Sequence, residues 1–498
     1  MKQNTRAILA WLRRGLADNK AWWIVLGLLI VQALWFVFSA QYPMAFDENY
    51  HFGLIQLHAQ QWLPYFTSQP LHSGAYGAIV RDPSYLYHWL MSYPYRLTTV
   101  FTKDVTAQII VLRLLNVALF AYALTLYRRL LGRLGVSRAL STSIFAVFIL
   151  IPVTPFLAAH INYDNLFMVA VPISALLTLQ LTEQFNHRQI NALTLLTLFI
   201  VLCLASLIKY PFLPVLLVIT IYVLWRLGRN RLISSIGLRT FWESFKALGW
   251  LRQVLLVGAC LVSFGLFAER YLGNVVKYHN PVPACDAVIS EDECLQYGPY
   301  GRDYVDKQQK SPYFHANPLI YAWQWMYGMW YRLFFAINYD YATQPPLLAI
   351  GILSILLAVL LALGIILRFR ALFFNHGARQ FVLWLTVGYT LVLFADGFSS
   401  YASTGQPVAV NGRYLIPFLP FLAAFGGLAW TQLLQSRTYL KTAVASGVIA
   451  VFLLQGGGAM TFINRSADSW MWPNAAVRSV NRTVRSITWP LILGKNVH

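Results

Sequence analysis

An almost unbroken apolar run, Ala21-Trp-Trp-Ile-Val-Leu-Gly-Leu-Leu-Ile-Val-Gln-Ala-Leu-Trp-Phe-Val-Phe-Ser-Ala40, lies near the N-terminus. A helix of about 20 apolar residues crosses the hydrocarbon core of a bilayer, so this run predicts a membrane span. Basic residues precede it and no small-residue cleavage site follows it, which is typical of a retained anchor rather than a signal peptide. The next stretch, Tyr42-Pro-Met-Ala-Phe-Asp-Glu-Asn-Tyr-His51, would then emerge at a membrane surface.

Composition places the whole chain in the membrane class. Of the 498 residues, 58% are hydrophobic and only 11% are charged, whereas soluble domains average about 25% charged residues. The formal net charge of +20 invites a nucleic-acid interpretation, but the basic residues are distributed as membrane topology requires. We therefore predict an all-α integral membrane protein with no nucleic-acid partner.

Ten further apolar segments follow the first, and the predicted spans are 21–40, 107–127, 139–159, 165–182, 191–208, 211–225, 253–268, 346–367, 380–395, 414–432 and 442–460. A cytoplasmic N-terminus places the larger share of Lys and Arg inside, as the positive-inside rule requires. Only Asp18, Glu183 and Glu243 of the 18 acidic residues then lie inside. This asymmetry predicts that the outer face of a cell membrane carries the chemistry.

The predicted topology divides the chain into a cytoplasmic N-terminus (1–20), a polytopic domain (21–460) and an outer C-terminal tail (461–498). The polytopic domain has three outer loops, 41–106, 269–345 and 396–413. Aromatic helices lying in the membrane interface are predicted around 83–90 and 317–341. The sequence leaves open whether 317–341 crosses the membrane instead.

The adjacent carboxylates Asp47 and Glu48 open the first outer loop. If Asp47 begins a helix, its carboxylate can cap the free backbone amides, with His51 and His58 further along the same face. An apolar stripe that includes Phe46 would lie beside them, which predicts a helix at the membrane surface with its acid and imidazoles turned together toward some further group. The alternative is an ordinary acidic helix cap with two surface histidines.

Two of the four cysteines, Cys285 and Cys294, fall in the second outer loop, whereas Cys203 and Cys260 lie within spans. Cysteines that meet in one exported loop predict a disulfide, because the outer side is the oxidising one. Its expected role is structural.

Further polar groups stand at the outer ends of predicted spans, where each is either an anchor or a site residue. Asp164 precedes an apolar run and has a helix cap as its alternative role. Lys209, in the hairpin Ile208-Lys-Tyr-Pro211, has snorkelling to the interface as its alternative. Arg413 stands at the mouth of the tenth span, and Arg113, inside the second span, must face protein, water or a phosphate.

As an ordered set, these motifs resemble the GT-C superfamily of membrane glycosyltransferases, which use a polyprenyl-phosphate-linked sugar as donor. The set comprises Phe46-Asp-Glu-Asn-Tyr-His51, Pro83-Ser-Tyr-Leu-Tyr-His-Trp-Leu90, a Tyr-Asp pair at Asp164, the Lys-Tyr-Pro hairpin at Lys209 and Asn411-Gly-Arg-Tyr-Leu-Ile-Pro417. The resemblance covers roughly residues 21–430. Two features depart from it: Asp82-Pro-Ser84 stands where relatives often have paired prolines, and no carboxylate-rich metal motif is evident.

The resemblance implies a function and a set of roles. Asp47 would be the catalytic base for an acceptor hydroxyl on a glycan, lipid or protein, and Glu48 and His51 would orient it or the sugar. Lys209 and Arg413 would hold the donor phosphate, facing Asp47 in one outer cavity. The other expected substrate contacts are Asp164, Tyr414 and Arg113. Inversion at the anomeric carbon is likewise only implied by the family.

Three alternatives stay open at this point. One is a divalent metal beside the phosphate, held by His51 with Asp47 or His160; no cofactor is otherwise expected. A second is an envelope-polysaccharide polymerase, which also has many spans and outer arginines. The third is a transporter, which would place its ionisable groups near mid-membrane rather than at the outer boundary.

Overall fold

The computed structural model describes residues 2–45, 47–233, 235–334, 348–408, 410–435, 437–454, 456–465 and 470–493. Throughout these residues the secondary structure is helical, without a strand, which confirms the all-α prediction. The α-helices are α1 (Lys2–Ala17), α2 (Asn19–Ser39), α3 (Glu48–His58), α4 (Leu86–Phe101), α5 (Val105–Arg133), α6 (Arg138–Phe148), α7 (Val153–Ala159), α8 (Asp164–Asn186), α9 (Ala192–Ile208), α10 (Leu213–Arg229), α11 (Ser235–Lys246), α12 (Trp250–Phe267), α13 (Gly273–Tyr278), α14 (Glu291–Leu295), α15 (Gly298–Gln309), α16 (Pro318–Phe334), α17 (Leu348–Leu367), α18 (Phe369–Phe373), α19 (Gly377–Thr404), α20 (Leu419–Leu433), α21 (Thr438–Leu454), α22 (Ala459–Arg465) and α23 (Ala475–Leu493).

Eight stretches of helix in the described part of the chain are long and apolar enough to cross a membrane: Asn19–Ser39, Val105–Arg133, Asp164–Asn186, Tyr210–Arg229, Trp250–Tyr278, Ile350–Leu367, Gly377–Thr404 and Thr438–Asn464. The helices α6 and α7 pass the same test only as a pair, and they bend by 79° at their junction. These apolar helices support a multi-pass membrane protein with eight spans, or nine if the bent pair is one span.

Two of the eleven predicted segments fall on shorter helices. Helix α9 has 17 residues because it ends at the Lys209 hairpin. Helix α20 has 15 residues because residues 412–415 form a 3-10 turn and the α-helix begins only after Pro417, at Leu419. A third predicted segment, 346–367, begins outside the described residues.

The core of the bundle forms where α5 packs against α2, α7 and α8. The inward face of α5 carries large apolar side chains with no exposure, among them Phe120, Leu124 and Leu131. Tyr127 of the same face donates a hydrogen bond of 2.7 Å to the carbonyl oxygen of Pro417, which ties the start of α20 to this core. The C-terminal half of α5 and the start of α20 are thereby held in fixed relation.

Helix α3 is largely buried within the loop 41–106. Helix α4 packs along it and covers His51 and His58 together with the apolar side chains of α3. The alternative of two surface histidines is therefore wrong, because His51 and His58 are both buried. Phe46, assigned to an apolar stripe from sequence, lies outside the described residues.

The second outer loop folds onto the first. Cys285 and Cys294 are joined in a disulfide, and Ser290 begins α14 with a reciprocal capping box to Glu293. Helix α14 lies against the turn at Gly74, where an added Cβ would sit 2.9 Å from the carbonyl oxygen of Glu293. Glycine is needed there for the two loops to approach each other.

Helix α16 covers most of the stretch 317–341, whose last residues, 335–341, lie outside the described part. It packs against the 3-10 turn 412–415, and a Cβ at Gly412 would overlap the carbonyl oxygen of Met329. At 17 residues α16 falls below the length of the eight candidate spans. Its contact with Gly412 positions the neighbouring Arg413.

The C-terminal part of the chain returns to the start of the first outer loop. The backbone of Trp470 accepts a hydrogen bond from Gln41, and Trp472 donates one to Ser39. Trp470 also joins an aromatic cluster with Phe36 of α2. The end of the fold therefore covers the beginning of the loop that contains Asp47 and Glu48.

Candidate functional site

Glu48 forms a two-pronged ion pair with Arg113 of α5. Arg113 Nε and Nη2 donate to the two carboxylate oxygens at 2.9 and 2.8 Å, and neither side chain has any exposure. The backbone amide of Met44 donates to Glu48 at 2.7 Å, and Arg113 Nη1 donates to the carbonyl of Ala40 at 2.7 Å. Burial alone would raise the pKa of Glu48, but Arg113 outweighs it and lowers that pKa.

This geometry changes the roles expected for both residues. Arg113 uses its three nitrogens on Glu48 and on backbone oxygens, so it does not reach a substrate phosphate as the sequence suggested. Glu48 is enclosed, so it can only position its neighbours and cannot contact a substrate. The pair fixes the start of α3 to α5.

Asp47, in contrast, presents its carboxylate to solvent, with its side chain 60% exposed. It occupies the N-cap position of α3, but its side chain makes no capping hydrogen bond, unlike the cap expected from sequence. Its backbone is left-handed, with φ 67°, a conformation that Asp tolerates better than most residues. This turn directs Asp47 and Glu48, although adjacent, to opposite environments.

Asp164 is buried and accepts a hydrogen bond of 2.6 Å from the ammonium group of Lys209. It is the first residue of α8, and the side chain of Asn162 caps its backbone amide at 2.8 Å. The Lys209 nitrogen lies 4.6 Å from the ring centre of Tyr163 and 4.5 Å from that of Tyr414, on whose faces the cation is stabilised. Lys209 is therefore an internal cation, not a snorkelling one.

Arg413 connects the two acids. Its Nη2 lies 3.3 Å from a carboxylate oxygen of Asp47, and its Nε lies 3.9 Å from the free carboxylate oxygen of Asp164. The side chain of Asn411 accepts from the amide of Arg413 at 3.1 Å and holds the turn. Lys209 and Arg413 thus converge as the sequence suggested, but the anion between them is the carboxylate of Asp164.

His51 belongs to a chain of two imidazoles. Its Nδ1 lies 2.9 Å from Nε2 of His88, and Nδ1 of His88 lies 3.2 Å from the carbonyl oxygen of Ser84. A carbonyl only accepts, so His88 Nδ1 carries its proton and His51 Nδ1 donates to His88 Nε2. Burial lowers the pKa of His51 well below its ordinary value and that of His88 to about 3. Both are neutral at pH 7, and the ring of His51 lies 4.6 Å from that of Tyr163.

The described histidines and acids lack the arrangement of three or more ligands that is usual for a metal centre. Across the described residues, no group of three or more His, Cys, Asp and Glu side chains is arranged to hold an ion. His160 is buried, and its pKa is lowered to about 4. The metal suggested for His51 with Asp47 or His160 therefore has no three-ligand cluster to bind it in this geometry.

Two groups that the sequence did not single out border the charged cluster. Tyr50 of α3 and Tyr297, which precedes α15, have ring centres 5.9 Å apart and share a hydrogen bond. Asp82 lies in the turn before α4, where one carboxylate oxygen accepts from the amide of Ser84 at 2.8 Å. In the sequence, Asp82 stands out only because Asp82-Pro-Ser84 replaces the paired prolines of relatives. No sequence feature points to Tyr297.

The site as a whole is a cluster of charges at the ends of helices, rimmed by partly exposed tyrosines. It offers an accessible carboxylate, two fixed cations, and neutral imidazoles and phenols. Such a set can accept a proton from a hydroxyl and can bind an anionic group. Comparison with family models, curated proteins and solved structures found no match to this chain.

Proposed function

We propose that the protein is a membrane glycosyltransferase that moves a sugar from a polyprenyl-phosphate donor to a glycan, lipid or protein acceptor of the cell envelope. One observation carries the proposal: Arg413 links the exposed Asp47 to the buried Asp164–Lys209 pair. Transfer from a phosphate-linked sugar needs a base for the acceptor and cations for the departing phosphate. Both requirements meet in this cluster.

In the proposed reaction Asp47 takes the proton of the acceptor hydroxyl. That oxygen forms a bond to the anomeric carbon, while the bond from the same carbon to the phosphate oxygen breaks. The electron pair leaves with the phosphate, which Arg413 and Lys209 hold. Arg413 offers a planar fork suited to two phosphate oxygens, and Lys209 offers a point charge. Inversion, which the family resemblance implies, places base and leaving group on opposite sides of the sugar, so the 3.3 Å contact between Asp47 and Arg413 opens when the donor binds.

Asp164 has a positioning role in this scheme. It keeps two cations at one place that would otherwise repel each other. Because the Arg413 Nε contact is long, at 3.9 Å, the guanidinium can turn toward a phosphate without breaking the 2.6 Å bond between Lys209 and Asp164. Asp164, which the family resemblance assigned to substrate binding, thus positions the two cations instead.

The membrane arrangement belongs to the proposal as well. The two short helices α9 and α20 and the bent pair α6–α7 would complete eleven membrane crossings, with the N-terminus in the cytoplasm and Asp47 on the outer face of the cell membrane. Grooves between helices would take the prenyl chain. The charged groups stand at helix ends, which favours an enzyme at the boundary over a transporter with ions at mid-membrane.

The test replaces Asp47 by Asn, which keeps the shape and loses the base. We expect transfer by purified protein to fall at least ~100-fold, typical of lost acid–base catalysis, and the envelope glycans of cells to lack one sugar. Asp292→Asn, on an exposed acid of α14, is the matched control and should leave the glycans unchanged. Normal glycans in cells that contain only the Asp47→Asn protein, at wild-type level, would rule the proposal out.

A further inference from the structure

Asp82 is a carboxylate that no salt bridge neutralises within the described part of the chain. Arg270 is the cation that acts on it, but this guanidinium donates to the carbonyls of Val80 and Tyr65 and pairs with Glu269. The hydrogen bonds of Asp82 to the amide and side chain of Ser84 leave acceptor capacity on the carboxylate. Burial raises its pKa, which marks the carboxylate as poorly solvated. A partly buried acid of this kind is suited to accept hydrogen bonds from a ligand.

The turn that holds Asp82 is fixed from two further sides. Ser84 Oγ accepts a hydrogen bond of 3.0 Å from the amide of Tyr210, next to Lys209, and the carbonyl of Ser84 accepts from His88. The position of Asp82 is therefore coupled to the Lys209 hairpin and to α4. A group held by three elements can contribute to binding without first losing conformational freedom.

Partly exposed tyrosine rings stand near this acid, since the ring centre of Tyr50 lies 6.4 Å from that of His88, which bonds to the carbonyl of Ser84. Tyr50 lies 5.9 Å from Tyr76 and 5.9 Å from Tyr297, measured between ring centres. Burial, with Asp82 as the next cause, raises the pKa of Tyr297 to about 12, and Asp47 contributes to the same rise. Tyr297 is thus near both carboxylates, one of which belongs to the charged cluster.

The second outer loop holds Tyr297 in this place. Tyr297 follows Cys294 by three residues, and its ring lies against Gly77, where φ is +73° and a Cβ would come within 3.1 Å of the ring. Any larger residue at this position would be both strained and crowded. The disulfide loop and Gly77 together fix the tyrosine over the first outer loop.

We propose that Asp82, Tyr50 and Tyr297 form a subsite that binds the neutral sugar ring of the donor. The acid accepts hydrogen bonds from sugar hydroxyls, while the tyrosines offer ring faces to the carbon-bound hydrogens and hydroxyls to the ring substituents. A phosphate is disfavoured here because it would repel the carboxylate, and the guanidinium of Arg270 is already bonded to Glu269 and two backbone carbonyls. The subsite rests on the proposed glycosyl transfer and assigns the sugar and the phosphate to different residues.

The experiment compares two probes on the detergent-solubilised full chain. One probe is farnesyl phosphate, and the other is a set of farnesyl phosphates carrying glucose, galactose or mannose. We expect wild-type protein to bind at least one hexosyl probe about 10-fold more tightly than farnesyl phosphate. Asp82→Asn and Tyr297→Ala should each remove about 10-fold of that preference, the size of a lost hydrogen bond to a charged group.

Farnesyl phosphate itself should bind these variants as it binds wild type. Tyr297→Phe, which keeps the ring and loses only the hydroxyl, replaces Tyr297→Ala if the latter does not fold. Asp292→Asn and the exposed Tyr313→Ala are the matched controls and should keep the sugar preference.

Three results would overturn the subsite: no sugar preference in wild type, a preference retained by both Asp82→Asn and Tyr297→Phe, or an equal loss for both probes. Measured sugar transfer distinguishes a failure of the subsite from a failure of the proposed function. Wild-type protein that prefers a hexosyl probe but transfers no sugar contradicts glycosyl transfer and leaves the subsite in place. Transfer with an unchanged preference in the variants contradicts the subsite alone.

Discussion

The guanidinium of Arg113 and the carboxylate of Glu48 form an ion pair with both side chains fully enclosed, although 65 residues separate them in the chain. Two charges inside a protein are costly to desolvate, and the pair is maintained because each also bonds to backbone groups. It fixes where α3 begins and therefore where Asp47 stands.

Breaking this pair should damage the fold rather than the chemistry. Glu48→Gln leaves Arg113 charged and without its partner, which should lower the free energy of unfolding by about 3–5 kcal/mol. Thermal unfolding of the purified protein measures this, and Arg133→Met, in a half-exposed ion pair, is the control with an expected change under ~1 kcal/mol. The double variant Glu48→Leu with Arg113→Leu should recover much of the loss. A Glu48→Gln protein as stable as wild type would contradict the structural role.

Asp164→Asn removes the anion between Lys209 and Arg413. The two cations then repel each other, so the unfolding temperature should fall in the absence of a ligand. Farnesyl phosphate should raise it more in Asp164→Asn than in wild type, because the added anion restores the missing charge. Glu183→Gln, in the exposed pair with Arg133, should show neither effect. A smaller ligand response in Asp164→Asn than in wild type would count against a phosphate site at these cations.

Acid should destabilise the protein between about pH 6.5 and pH 4. Burial lowers the pKa of His58 and of His160 to about 4 and that of His88 to about 3. The unfolded chain therefore takes up protons below about pH 6.5 while the folded chain does not, which costs about 1.4 kcal/mol per histidine and pH unit. Glu48, with its lowered pKa, adds to the loss at lower pH.

A single replacement tests the histidine contribution. His58 has a buried Nδ1 without a hydrogen-bond partner, so His58→Leu should flatten the dependence of unfolding temperature on pH without a large loss of stability. His315→Leu, at an exposed position, should leave the dependence unchanged. Equal slopes for wild type and His58→Leu would contradict the assignment.

The proposed orientation is tested by cysteine labelling in a background lacking Cys285 and Cys294. Cysteines at the exposed positions Ser68 and Ser399 should react with an impermeant thiol reagent on intact cells or spheroplasts, whereas one at exposed Ser235 should react only after lysis. Detergent-permeabilised cells, in which all three should react, provide the control. The reverse pattern would place Asp47 in the cytoplasm.

The sequence identified charged residues of the site because charges at the ends of apolar helices are expensive without a partner. That reasoning applied to Asp164, Lys209 and Arg413, which the structure brings together. Only the family resemblance separated Asp47 from Glu48, since adjacent residues differ in burial only once α5 and a left-handed turn are in place. Reasoning from the sequence also missed Tyr297, whose position depends on contact between two loops about 200 residues apart.

The bounds of two predicted spans compare differently with the structure. Helix α9 matches 191–208 to within one residue, because the Lys209 hairpin ends it, whereas α20 begins only at Leu419, after the 3-10 turn at 412–415 that hydropathy does not reveal. Both interruptions place a cation at the cluster. The residues that shorten the helices are thus the ones on which the proposed phosphate site depends.

The contact between residues 39–41 and 470–472 has a consequence for biogenesis. The first outer loop is synthesised early, yet the backbone groups of Ser39 and Gln41 gain their partners only when Trp472 and Trp470 arrive. The ring of Trp472 also covers Arg113, whose guanidinium carbon lies 5.7 Å away. A nascent chain therefore carries an unfinished Asp47 loop through nearly the whole of its insertion, and a chain that stops before Trp470 never completes it.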